Sequence, residues 1–172
     1  MKKIKRKGIT LIELVITMGL VVIILGVVTV VFTSNSKIMN KVDVKSELQL
    51  QGELIQRQLM MILPESKGII EINYKSEDSP EIKSFIADDE MFWHQYLIEN
   101  EKLSYQKIDK STNNVVNETD LSTYVKSLII EPENKAQVLS SKKIVLKINL
   151  VKVEGGKVGE YQIDQSVVFR NF

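Results

Sequence analysis

The chain has 172 residues, enough for one membrane anchor and one modest domain, with 23 basic and 22 acidic side chains. It contains no cysteine, which excludes disulfides, thiolate metal sites and a cysteine nucleophile, and a single histidine, His94, leaves little for a metal centre or a general base. The charge is unevenly placed. Lys2, Lys3, Lys5, Arg6 and Lys7 fall within residues 1–8 without an acid, and the remainder carries 18 basic against 22 acidic side chains, too acidic for general nucleic-acid affinity.

Residues 14–32 form 19 consecutive uncharged positions rich in Val, Ile and Leu. As a helix they would cover about 28 Å, close to the hydrocarbon thickness of a bilayer. Thr17 and Thr29 are the polar residues in the run, and a threonine hydroxyl can bond back to its own helix. The basic cluster ahead of the run outweighs Lys37 and Lys41 behind it, which predicts the N-terminus in the cytoplasm and the rest outside. A cleaved secretory signal is a poorer fit, because its apolar region is shorter and ends at a small-residue site.

Glu13 sits inside the apolar stretch that begins at Ile9. A carboxylate at membrane depth costs roughly 2.5–3.5 kcal/mol and marks a function when it persists. A carboxylate at headgroup level needs no such explanation. Position alone leaves both readings open.

The segment Lys7-Gly8-Ile9-Thr10-Leu11-Ile12-Glu13 resembles the processing site of type IV pilins and their relatives. Those proteins have a short basic leader ending in glycine, then an apolar residue, with glutamate fifth after the cut. The resemblance covers about the first 35 residues. It implies cleavage between Gly8 and Ile9 by a membrane-embedded prepilin peptidase, and methylation of the new Ile9 amine. It also implies that Glu13 of one subunit neutralises the Ile9 amine of the next as helices stack. Such a buried pair penalises wrong registers more than it stabilises. One feature departs from the pattern. Many major pilins carry a proline within the apolar helix; here the first proline is Pro64, and Gly19 and Gly26 are the weaker helix breakers present.

The helix is predicted to continue to Leu63, because no proline intervenes and Pro64 disfavours helix at the residue before it. Ile38, Val42, Leu48, Ile55, Leu59 and Ile62 approximate an apolar stripe over residues 36–63. Beyond it, Ile70, Ile72 and Tyr74 alternate with polar residues as in a strand. Residues 92–99 and 102–109 flank a turn at Asn100-Glu101, and residues 124–130 are β-branched and aromatic. Ile144, Leu146, Ile148 and Leu150, then a glycine-rich turn from Gly155, then Tyr161, Ile163, Val167 and Phe169 read as a hairpin. Residues 76–83 and 109–123 read as polar surface loops.

The expected architecture is therefore α+β: leader 1–8, membrane or filament-core helix 9–35, amphipathic helix 36–63, and an antiparallel β-sheet domain 64–172. The C-terminal half resembles minor pilins and J-type or W-type pseudopilins, which share this order and often end near an Arg-Asn pair, as at Arg170-Asn171. The resemblance implies a structural role without a cofactor. Its implied partners are the prepilin peptidase, other pilin subunits, the inner-membrane assembly platform and, before assembly, membrane lipid. The end state would be a surface filament of a pilus, secretion or DNA-uptake system.

Other residue groups read more simply. Asp88, Asp89 and Glu90, with Asp78 upstream, supply too few spaced oxygens for calcium and read as a solvated loop. His94 reads as structural. Phe92, Trp93 and Tyr96 could make a binding patch but read as core. Lys142, Lys143, Lys147 and Lys152 could touch DNA, yet strand lysines ordinarily keep an edge soluble. No nucleophile–base pair or phosphate-binding glycine loop points to an enzyme. The competing reading is an anchored surface or assembly protein that never polymerises.

Overall fold

The computed structural model describes residues 10–172 apart from Asp78 and Glu133, without the side chains at 37, 38, 40 and 41. Helix α1 runs Leu11–Ile62 without a break and gives way to a 3-10 turn at Leu63–Glu65, where Pro64 cannot continue an α-helix. Eight strands follow: β1 Gly68–Tyr74, β2 Ile82–Asp88, β3 Phe92–Glu99, β4 Lys102–Asp109, β5 Val115–Ser122, β6 Val125–Glu131, β7 Lys143–Glu154 and β8 Lys157–Val168. A short helix α2, Lys135–Leu139, lies between β6 and β7 and is capped by Asn134. The class is α+β, as expected.

The chain divides into two compact units, Met1–Val42 and Asp43–Phe172. In the first, Leu11–Ser36 is 26 residues of apolar helix with no buried side chain. It would span about 39 Å, long enough to cross a membrane, and no second such helix occurs among the described residues. The two threonines expected to turn inward do so: Thr17 Oγ1 donates to Leu14 O and Thr29 Oγ1 to Leu25 O, both at 2.8 Å.

The second unit holds the core. Val44, Leu48, Ile55, Leu59 and Leu63 are buried at near-helical spacing against two antiparallel meanders, β1-β2-β3-β4-β5 and β6-β7-β8. The stripe differs at its ends from the expected one: Val42 is exposed, Ile62 is half-buried, and Val44 and Leu63 carry the contact. Ile38 lies outside the described side chains. Two glycines bring helix and strand close. A Cβ on Gly52 would lie 2.4 Å from the Tyr161 ring, and one on Gly159 would lie 2.5 Å from Val44 Cγ1. Helix and β8 thus each offer a notch that receives a side chain of the other.

The predicted hairpin is present in register from Lys143↔Val168 to Glu154↔Lys157. Gly155 and Gly156 have φ of 58° and 73°, the left-handed pair a two-residue turn requires. Asn100 and Glu101 turn β3 into β4 as expected. Three expectations are corrected. Residues 115–122, read as loop, form strand β5. Strand β2 begins at Ile82, inside the segment read as loop. In β1 Ile72 is buried as expected, but Ile69 is buried in place of Ile70, because a bulge between Ile69 and Glu71 shifts the alternation.

Candidate assembly site and neighbouring polar groups

The site indicated by the sequence lies at the start of α1. Gly8 and Ile9, and the basic residues ahead of them, lie outside the described residues. Thr10 is the first described residue, and its Oγ1 accepts from Glu13 N at 3.3 Å. Thr10 and Glu13 therefore occupy the two positions of a capping box. A carboxylate in the first turn also faces the positive end of the helix dipole. Glu13 has this local role whatever else it does. With exposed Leu11, Ile12 and Leu14 around it, it places one negative charge at the rim of an apolar cylinder. Such a charge can neutralise a cation brought to the same depth. Gly19 and Gly26 each have open space around them.

Arg170 and Asn171 bond back to the end of the helix. Arg170 N donates to Pro64 O at 2.8 Å, Asn171 Nδ2 donates to Glu65 O at 2.6 Å, and Arg170 pairs with the Glu65 carboxylate. The Arg-Asn pair thus has a structural task, closing the last strand onto the 3-10 turn.

The remaining candidates have mostly structural partners. Asp88 ends β2 and pairs with Lys110 at 2.6 Å, so it is not part of a free acidic loop. Lys110 also donates to Asp89 O, tying the β2–β3 and β4–β5 connections together. Among the described residues no cluster of His, Asp and Glu has the arrangement of a metal site. His94 is buried, with Nδ1 2.8 Å from Tyr105 Oη and Nε2 3.5 Å from Asp89 Oδ2. Burial holds the imidazole below its ordinary range, against the opposing pull of Asp89. Burial pushes Tyr105 up to about 12 and holds Tyr96 well above its ordinary value. Tyr96 stacks on Phe85 at 4.7 Å, and its hydroxyl has no partner among the described residues.

The aromatic group divides. Tyr96 is core, while Phe92 and Trp93 are half-buried, Phe92 beneath the Lys107 ammonium at 3.7 Å. The expected basic hairpin is partly neutralised. Lys152 lies 2.5 Å from Glu47 and 2.8 Å from Glu154, and Lys147 pairs with Glu131. The Lys152 hydrogen bond, reinforced by Tyr124 Oη at 2.9 Å, holds the Glu47 carboxyl below its usual range. Sequence reasoning did not find Glu47. Its only signal was a position on the helix flank beside the buried stripe.

The chain matches no family profile, no curated protein and no solved structure. The chain is a helix-and-sheet protein with, among the described residues, one helix long and apolar enough to cross a membrane.

Proposed function

We propose that the chain is a minor pilin or pseudopilin subunit, trimmed between Gly8 and Ile9, methylated at Ile9 and built into a type IV pilus-like filament. The observation that carries this reading is Glu13 in the first turn of an uninterrupted apolar helix with no buried side chain in the monomer. An apolar helix of this length has two ways to leave water, lipid before assembly and other helices after it. The Ile9 amine created by the cut would lie one turn before Glu13, in surroundings where an unpaired charge is costly. The half-helix buried beneath the sheets supports the reading by leaving the first half free for subunits or lipid. The prepilin peptidase, the assembly platform and neighbouring subunits are the partners it requires. The pairing of Lys147 and Lys152 with carboxylates argues against DNA contact through this hairpin.

Intact mass of the native protein tests it. Loss of residues 1–8 with gain of one methyl group is the expected result. Glu13→Gln should still be trimmed but should be depleted from sheared filaments. An untrimmed chain in cells that hold the peptidase overturns the proposal in favour of a permanently anchored protein. Normal incorporation of Glu13→Gln removes the pairing role.

A further inference from the structure

The five-stranded sheet has two faces of different character. On β3, His94, Tyr96 and Ile98 are buried with Phe85 and Leu103, whereas Trp93, Gln95 and Leu97 on the opposite face are half-buried. The pairings Gln95↔Gln106 and Gln106↔Glu118 set three planar polar groups in one row across β3, β4 and β5. Gln106 Nε2 donates to Glu118 Oε1 at 3.0 Å, which fixes the row. Glu71 stands at the same level on β1, through Glu71↔Ile86 and Ile86↔Gln95. Trp93 lies in the next row, two residues along β3 from Gln95.

We propose that this face binds an amine-bearing, β-linked hexosamine chain. Three features select that chemistry. The indole offers an electron-rich surface to the C–H face of a sugar ring and to a neighbouring ammonium. The amide–amide–carboxylate row supplies donors and acceptors at the strand spacing of about 4.8 Å. That spacing is close to the rise of one sugar along a β-linked chain, so a polymer crossing the strands meets one polar group per unit. The charge is complementary as well. The Gln95 row brings two carboxylates, Glu71 and Glu118, and no lysine or arginine; Asn73 Nδ2 donates to Glu71 and Gln106 Nε2 to Glu118. Two cations border the face and leave it net acidic: Lys102, paired with Asp120 at 2.8 Å and close enough to Glu118 to feel its charge, and Lys110, paired at 2.6 Å with Asp88 opposite Trp93. The surface belongs to the sheet unit and does not depend on whether residues 1–8 are removed.

Trp93 is the only tryptophan, so its emission reports this face alone. The full chain in detergent micelles is titrated with glucosamine hexamer, its fully N-acetylated counterpart and hexalysine. A saturable change in emission with the glucosamine hexamer, weakened by salt, is expected. Glu118→Gln should weaken that response about tenfold while leaving the thermal midpoint unchanged, and Gln95→Ala should weaken it independently. The proposal is overturned by an unchanged emission, by an equal response to the acetylated hexamer, or by an equal response to hexalysine. The last would assign the face to a basic peptide.

Discussion

Residues 11–42 and 43–62 belong to one helix but solve different problems. The first stretch has no side to protect: Leu20, Val21, Val22 and Ile23 are all more than half exposed. The second buries Val44, Leu48, Ile55 and Leu59, and the rest of its surface mixes charged and amide side chains with exposed Leu50, Leu54, Met60 and Met61. The contrast teaches that helix propensity is shared and environment is not. What holds residues 43–62 in place is a stripe and two notches against strands; the side chains of residues 11–36 are all exposed.

Substitutions can break or sharpen that contrast. Leu48→Ala should destabilise the sheet unit most, by about 2–5 kcal/mol, since Leu48 is wholly buried. The same change at the exposed Leu20 should leave the denaturant midpoint in detergent unaltered. Ile23→Lys reverses the pattern. It should cost about 2.5–3.5 kcal/mol in membrane insertion, read by fractionation of membranes, with the sheet unit's melting unchanged. Gly159→Ala should cost about 1–3 kcal/mol, because Val44 or the helix must shift to admit the methyl group. The matching change at Gly26, which has open space, should not lower stability.

The smallest effect is at Glu47. Its carboxyl is held below its usual range, chiefly by the Lys152 hydrogen bond. Its stabilisation is therefore present above the unfolded value near 4.5 and is lost as pH falls through the lower folded value. Glu47→Gln should lower the melting temperature slightly at neutral pH and leave it unchanged below the folded value, which flattens the acid limb. An unchanged acid limb would show that the pair adds nothing.

The strands with one buried face were legible. Ile144, Leu146, Ile148 and Leu150 alternate because one side of β7 meets the core, and their burial follows that alternation. Strand β5 was not legible for the opposite reason. Its first six residues are exposed on both faces, so Asn117, Glu118, Thr119 and Asp120 carry no period of two. It is a strand because β4 supplies a ladder. In β1 the bulge moves burial from Ile70 to Ile69, a one-residue shift that alternation cannot report. At the candidate site, Glu13 stood out because a charge in an apolar run is conspicuous. The notch at Gly52 did not, since only the position of Tyr161 gives that glycine a purpose.

The clasp of Arg170 and Asn171 on Glu65 joins positions 105 and 106 residues apart, so the whole sheet sequence lies within a closed circuit. Traction entering through the helix arrives at the first and last strands together. Peeling from the C-terminal side must first open that fastening, and a chain pulled by its helix therefore resists as a loop rather than as an unravelling thread.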